Sequence, residues 1–175
     1  KFEANLPDPI KPGELEPTQI AERQLRNFLC ASGLQEVTTM SLVGSDRVSN
    51  RIAISNPLLS ETSHLRSNLF EEHIRICQRN IQSARANCWI YEIGTIFNND
   101  NKKIDEITRL SGLLCGSNSL EKWTVSGKKT KLEYYEARGK LSQVFKALKL
   151  EVKDKRVTDN TNLHPGRSAE LILEG

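Results

Sequence analysis

The sequence predicts an α+β fold in which a mainly antiparallel sheet is flanked by helices. Three segments, residues 18–33, 67–83 and 134–148, repeat apolar side chains at the spacing of amphipathic helices. Two runs rich in β-favouring residues, Trp89–Phe97 and Ile107–Cys115, are separated by a polar connection and predict a long antiparallel hairpin.

The composition is that of an ordinary soluble chain. Its 175 residues suffice for one large domain, or for one domain with a small lobe. The net charge of +3 is too small, and the basic residues are too dispersed, to indicate nucleic-acid binding on their own. No apolar run approaches the ~20 residues that a membrane span requires, and no signal peptide is recognised. We therefore expect a cytoplasmic protein without a membrane partner.

The cysteines predict neither disulfides nor a zinc site. They form no C-x-x-C pair, and no histidine lies at ligand spacing from any of them. We expect all of them to be buried and reduced, as in cytoplasmic proteins: Cys30, Cys77, Cys88 and Cys115.

The proline content divides the chain. Residues 1–17 hold four of the six prolines, which disfavours a packed element. This stretch is predicted to be a linker from an upstream domain, and residues 18–175 to be the domain itself. The chain starts at Lys1 without a methionine, and it ends directly after a strand-like run at 169–173 that lacks an obvious partner. We expect a fragment of a longer protein, truncated at the C-terminal end of the domain.

The first half of the chain predicts two helices and two short strands. Thr18 is the expected N-cap of the first helix, and Gly33 is its expected end. Residues 36–43 alternate as a strand does, and a short strand at 51–55 follows. The second helix is expected to bury the face that carries Phe70, Ile74, Cys77 and Ile81.

The second half of the chain centres on the hairpin. Its polar connection, Asn98–Glu106, predicts an open loop, and the nearly continuous apolar residues of the second strand predict a sheet covered on both faces. Residues 117–131 predict a surface loop, and a strand at 151–157 follows the third helix. Before the last strand, Arg167 is expected to hold a structural ion pair or a cluster of carbonyls.

No residue is predicted to be catalytic, cofactor-binding or metal-binding. The sequence lacks the glycine-rich phosphate loops and the nucleophile elbow of known enzyme families. The histidines lie far apart in sequence, and His73 is expected to be a hydrogen-bonded core residue rather than a catalyst. Asp105 and Glu106 are neighbours, so on a strand their side chains point to opposite faces and cannot serve one site.

Five segments in a fixed order carry a resemblance to a known family. They are GLQEVTT at 33–39, NPLLS at 56–60, LRSNL at 65–69, YEIGTIF at 91–97 and LHPGRSA at 163–169. Together they resemble the catalytic-like domain of the β subunits of bacterial-type phenylalanyl-tRNA synthetases, over roughly residues 15–175. The resemblance implies a degenerate copy of the class II aminoacyl-tRNA synthetase fold.

The resemblance also implies that the chemistry has been lost. A working class II synthetase carries an arginine just after the first strand of its motif 2 hairpin, where it stabilises phosphate charge. The matching position here is Asn98, which is neutral. The glycine-rich third motif is not seen before Gly175, and the flexible ammonium groups of Lys102 and Lys103 are poor substitutes for a bidentate guanidinium. We therefore expect no cofactor in this chain.

The role implied by the resemblance is that of a scaffold and subunit interface. In the family this domain packs against the catalytic α subunit, and here the helix at 18–33 and the strand after it would form much of that surface. The holoenzyme would be a heterotetramer of two α and two β chains that attaches phenylalanine to tRNA with ATP and Mg²⁺. Both small substrates would bind to the α subunit, and tRNA would contact other parts of the β chain.

Two alternatives are weighed against this role. A free-standing synthetase-like paralogue that binds ATP or an amino acid is disfavoured by Asn98. A nucleic-acid-binding module would use Arg75, Arg79, Arg85 and the lysine-rich loop at 122–131, and it is disfavoured by the small net charge.

Overall fold

The computed structural model describes residues 13–45, 51–83, 87–100, 103–117, 131–157, 163–164 and 166–174. Its elements in chain order are α1 (Pro17–Ala31), β1 (Gln35–Glu36), β2 (Leu42–Val43), β3 (His64–Leu65), α2 (Phe70–Gln82), β4 (Cys88–Asp100), β5 (Lys103–Cys115), α3 (Tyr134–Ala147), β6 (Glu151–Arg156) and β7 (Ala169–Glu174). A 3₁₀ turn at Ser60–Thr62 lies between β2 and β3. This is the α+β class that the sequence predicts.

Helix α1 begins earlier than predicted and ends as predicted. Glu16, not Thr18, is the N-cap, because Pro17 takes the first helical position, where its missing N–H is not needed. The side chain of Gln19 accepts a hydrogen bond from the Glu16 amide at 3.0 Å. After the helix, Gly33 adopts a φ of 89°, a left-handed conformation that reverses the chain.

The described strands form three sheets. β4 pairs with β1 in parallel on one side and with β5 antiparallel on the other. β2 pairs with β3, and β6 with β7, both antiparallel. The terminal strand-like run therefore does have a partner, which is β6.

Two of the predicted strands are wrong. The run at 36–43 is not one strand, because β1 at its start joins β4 whereas β2 at its end joins β3. Between them, the Thr39 hydroxyl donates a hydrogen bond to the Glu92 carboxylate on β4. The run at 51–55 is not a full strand: it forms one bridge, between Ala53 and His64, flanked by backbone hydrogen bonds from Ile54 N–H to the Ser63 carbonyl and from Leu65 N–H to the Ile52 carbonyl.

The central hairpin is confirmed, but its open loop is not. The ladder runs without interruption from Cys88 opposite Cys115 to Asp100 opposite Lys103. Most of the polar connection is therefore part of the strands, because side chains at this end of the ladder, such as Asn99 and Lys103, are exposed and backbone pairing there needs no apolar side chains. The sequence predicts that both faces of the hairpin are covered. This is so for the first part of β4 but not for β5, where Ile104 is 53% exposed.

The core lies on both faces of β4. On one face, Tyr91 packs with Leu29 of α1 and Val144 of α3. On the other face, Ile90 packs with Cys77 of α2. The alternation of side chains along one strand thus supports two helical layers.

Helix α2 buries Cys77 of the predicted face but not the other three residues. His73 and Cys77 are buried, whereas Phe70, Ile74 and Ile81 are each more than 40% exposed. Positions 73 and 77 lie one turn apart on the same side of the helix. Apolar periodicity did not predict this face, because one of its buried residues, His73, is polar.

Several smaller expectations can also be compared with the structure. All the cysteines are free, but not all are buried as expected: Cys30 is exposed, although its Sγ contacts the Tyr91 hydroxyl, and Cys115 is only partly buried. Among the described residues, no group of side chains is arranged to hold a metal ion, and no helix has the length and apolar character to cross a membrane. Arg167 is exposed, and the ion pair or cluster of carbonyls expected for it stays a prediction. The surface loop predicted at 117–131 falls largely outside the described residues.

We predict that Gly33→Ala destabilises the domain by about 1–2 kcal/mol, because a Cβ is disfavoured at positive φ. Gly139 is the matched control, since it lies inside α3 with open space around it. Gly139→Ala is expected to stabilise the domain by up to about 1 kcal/mol through helix propensity. Urea unfolding of both variants measures the difference, and changes of the same sign would contradict the prediction.

Candidate functional site

A cluster of buried polar residues lies where α2 crosses β4. Arg66 follows β3, His73 lies in α2 and Glu92 lies in β4, and they are 4%, 0% and 1% exposed. Thr39 and Ser111 bring hydroxyl groups to the same place. We call these five residues the buried cluster.

Arg66 joins the segment after β1 to the central strand. Its Nη1 donates to Glu92 Oε1 and to Thr39 Oγ1, both at 2.8 Å. Its Nε donates to the carbonyl of Thr95 at 2.8 Å. A planar guanidinium provides such divergent donors in fixed directions, which an ammonium group cannot do.

The Glu92 carboxylate neutralises the positive charge of Arg66 and accepts several hydrogen bonds. It accepts hydrogen bonds from the Thr39 amide at 3.2 Å, from the Thr39 hydroxyl at 2.7 Å, and from Arg66. Burial raises the pKa of Glu92, but the hydrogen bonds from Thr39 and Arg66 outweigh burial and hold the pKa below its ordinary value. The carboxylate is therefore ionised in the folded protein near neutral pH.

His73 closes the cluster from the helix side. Its Nε2 lies 3.3 Å from Glu92 Oε2, and its Nδ1 lies 3.2 Å from the Ser111 hydroxyl. An ionised carboxylate can only accept, so the proton of this contact belongs to Nε2. The prediction that His73 is a hydrogen-bonded core residue is confirmed.

Gly94 is required by the same cluster. A Cβ at this position would lie 2.5 Å from Arg66 Nη2 and 2.9 Å from Glu92 Oε1. The two sequence segments LRSNL and YEIGTIF therefore meet in space through an arginine, a glutamate and a glycine. Sequence reasoning missed this contact, although a charged residue inside each of two strand-like apolar segments was a usable signal.

The buried cluster has the chemistry of a structural support. A general acid needs a raised pKa and a general base needs a free lone pair near a substrate, and Glu92 offers neither. Its hydrogen bonds instead connect β4, α2 and the segment around Thr39. No described residue of the cluster is placed to act on a bound molecule.

The position matched to the catalytic arginine lies far along the hairpin. Asn98 is opposite Asp105 in the β4–β5 ladder. The only charge pair described near it is an exposed one, in which Lys103 Nζ lies 3.5 Å from the Asp105 carboxylate. Such a pair contributes little and holds no fixed geometry.

The basic residues expected for nucleic-acid binding do not form one described surface. Arg75 Nη1 lies 3.0 Å from a Glu72 carboxylate oxygen, so part of its charge is neutralised. Arg79 is exposed, while Arg85 and most of the lysine-rich loop fall outside the described residues.

A further candidate surface lies on α1. Every residue from Gly13 to Ala21 is exposed, including Leu15 at 50% and Ile20 at 44%. Only the C-terminal part of the helix reaches the core, through the buried Leu29. Beyond β1, Met40 is 65% exposed. The helix and the segment after it, expected to meet a partner, thus present apolar side chains to solvent.

Comparisons with known proteins give one consistent family. Residues 4–175 match the family described as the phenylalanyl tRNA synthetase beta chain CLM domain. The chain is 57% identical to the phenylalanine–tRNA ligase beta subunit of Prochlorococcus marinus strain MIT 9313 and 54% identical to that of Parasynechococcus marenigrum strain WH8102. All of this chain is aligned in both cases, but it spans only 22% of each relative.

One solved structure shows the fold. A pyrrolysyl tRNA synthetase from Desulfitobacterium hafniense, a class II enzyme, superposes with a TM-score of 0.57 over 81% of this chain and 49% of that chain. The sequences are 15% identical, so the likeness concerns the fold alone. The class II-like fold expected from the sequence is confirmed.

We predict that Arg66→Met destabilises the chain by about 3–5 kcal/mol, because it leaves the Glu92 carboxylate buried without its cation. The double variant Arg66→Met/Glu92→Gln is expected to cost clearly less than the sum of the single variants, since it removes both charges. Chemical unfolding of the four proteins measures the coupling. Additive effects within about 0.5 kcal/mol would contradict a buried ion pair.

We predict that the Glu92 contribution to stability is present above the carboxyl pKa of the unfolded chain and is lost as the pH falls through the lower folded pKa. Protonation then favours the unfolded chain, so stability should fall as the pH drops below the ordinary carboxyl range. Glu92→Gln is expected to flatten part of this decline. Ser111→Ala, which removes an uncharged member of the cluster, should preserve the decline. Parallel curves for Glu92→Gln and the unchanged chain would refute the assignment.

Proposed function

The chain belongs to the family of phenylalanyl-tRNA synthetase β chains, and we propose that this region is a non-catalytic scaffold through which the β chain binds the catalytic α subunit. Residues 1–17 would connect it to upstream parts of the β chain, and residues 18–175 would form the domain. In the described structure, α1 already begins at Pro17, the last proline of that connection.

The proposed holoenzyme is a cytoplasmic heterotetramer of two α and two β chains that attaches phenylalanine to tRNA with ATP and Mg²⁺. The α subunit would bind the small substrates, and tRNA would contact parts of the β chain outside this region. The chain spans 22% of the β subunit of Prochlorococcus marinus strain MIT 9313. The activity and partners of the whole enzyme are therefore inferred from the names of these relatives.

The exposed part of α1 is the observation that carries the interface proposal. Leu15 and Ile20 are about half exposed although they lie at an ordered helix start with a capping interaction. Apolar side chains presented on a preformed helix are typical of surfaces that bind another protein. Arg23, Gln24 and Asn27 supply polar groups at the edge of this surface, as subunit interfaces require.

Two further observations support the absence of catalysis in this region. Asn98 stands where a working enzyme needs a cation, and Glu92 is held by donors from three elements of the same chain. The fold can persist without the chemistry, because the residues that hold β4 in place are separate from the hairpin tip. The alternatives of a free-standing paralogue and a nucleic-acid module gain no support from the described contacts.

We predict that Ile20→Glu in the full-length β chain weakens binding to the α subunit at least about tenfold. Loss of one buried apolar side chain costs about 1.5–3 kcal/mol, and an unpaired carboxylate in an interface costs more, while 1.4 kcal/mol corresponds to a factor of ten. Sedimentation of purified α and β chains across a concentration series gives the dissociation constant. Phenylalanine activation should fall in proportion to the assembled fraction.

Asn98→Ala is the matched control for this experiment, because Asn98 lies near the hairpin tip rather than on α1. It is expected to leave both assembly and phenylalanine activation unchanged. Normal assembly of the Ile20→Glu chain would refute the interface. Loss of activation in assembled Asn98→Ala enzyme would refute the non-catalytic assignment.

A further inference from the structure

Helix α1 packs against the rest of the domain through its C-terminal part. Its last part packs through Leu29, and Ser32 at its end accepts a hydrogen bond from Lys140 Nζ at 3.3 Å. The first part, up to Ala21, is exposed on every residue. The direction of the exposed part therefore depends on contacts made further along the helix.

The hydroxyl of Tyr91 lies at the centre of those contacts. Tyr91 is 1% exposed, and its hydroxyl oxygen is 3.2 Å from Cys30 Sγ and 3.3 Å from Glu36 Oε2. The other oxygen of Glu36 accepts a hydrogen bond from Arg26 Nε at 2.9 Å. The Tyr91 hydroxyl thus contacts α1 directly, at Cys30, and indirectly, through Glu36 of β1 and Arg26.

The protonation states of Tyr91, Cys30 and Glu36 determine which group donates each hydrogen bond. Burial and the neighbouring Cys30 and Glu36 raise the pKa of Tyr91, so the hydroxyl keeps its proton. It has one proton to donate, and the Glu36 carboxylate is the charged acceptor within reach. The Cys30 thiol can then donate to the tyrosine oxygen. Arg26, held between Glu22 and Glu36, ties the helix to the same carboxylate.

We propose that the hydrogen-bonded group formed by Tyr91, Glu36 and Arg26 sets the direction of α1, and that Tyr91 thereby acts as a positioning residue for binding of the α subunit. This inference rests on the proposed interface function. The hydroxyl touches no partner, because it is buried beneath the helix.

The length of α1 explains why losing one hydroxyl, that of Tyr91, can displace the start of the helix. Apolar packing around Leu29 is non-directional, whereas hydrogen bonds to Glu36 and Cys30 fix a rotation. Arg26 lies about 14 Å along the helix axis from Pro17, from a rise of 1.5 Å per residue. A tilt of about 10° at the anchor would move the helix start by about 2 Å, which is enough to misalign packed side chains.

The test compares Tyr91→Phe with Ser111→Ala in the full-length β chain. Ser111 provides a control, because its hydroxyl likewise takes part in part-buried hydrogen bonding but lies on the α2 face of the sheet. The two variants are expected to lower the unfolding temperature by similar amounts. Only Tyr91→Phe is expected to weaken binding to the α subunit, by about tenfold, as measured by sedimentation.

Glu36→Ala gives a second, independent variant. The Glu36 side chain is 39% exposed, so its removal opens no core cavity. It removes the acceptor shared by Tyr91 and Arg26 and is expected to weaken α-subunit binding to the same extent as Tyr91→Phe.

The outcomes separate this inference from the interface proposal. Normal binding by both Tyr91→Phe and Glu36→Ala, together with lost binding by Ile20→Glu, would overturn the positioning role and leave the interface intact. Equal losses of binding in Tyr91→Phe and Ser111→Ala would also overturn it, because stability alone would then explain the effect. Normal binding by Ile20→Glu would overturn the interface itself.

Discussion

The buried ion pair between Arg66 and Glu92 is the constraint around which the rest of the domain is arranged. A charge this deeply buried must be paired and hydrogen-bonded, and here the partners come from α2, β4 and the segment after β1. Such a pair adds little net stability over an apolar core, but breaking it is costly. It therefore favours one arrangement of the chain over its competitors. The glycine at position 94 is a direct consequence, since any side chain there would collide with the guanidinium.

The two faces of β4 serve different purposes. The α2 face is closed by the buried cluster and by apolar contacts with Cys77. The opposite face holds the end of α1 through Tyr91 and leaves the start of that helix in solvent. Neither arrangement involves Asn98, which lies further along the strand. This separation would let the fold persist without an arginine at position 98, as the proposed scaffold role requires.

Local signals predicted the elements whose ends are set by local chemistry. Gly33 ends α1, and the long β-favouring runs pair as a hairpin, as expected from sequence. The buried face of α2 was predicted only at Cys77, because its orientation follows the contact between His73 and Glu92, which are 19 residues apart. The strand expected at 36–43 is divided for the same reason, since Thr39 turns toward that carboxylate. Apolar periodicity cannot report a polar group that is buried with its partners.

Hydrogen exchange on the β chain, free and assembled with the α subunit, tests the central claim that this region is a subunit interface rather than a catalytic site. If α1 binds the α subunit, amides in its exposed part, around Ile20 to Gln24, should become protected on assembly. Addition of ATP and Mg²⁺ to the free β chain should leave the β4–β5 hairpin unchanged. Unchanged exchange in α1 within the assembled enzyme, or nucleotide-dependent protection near Asn98, would contradict it.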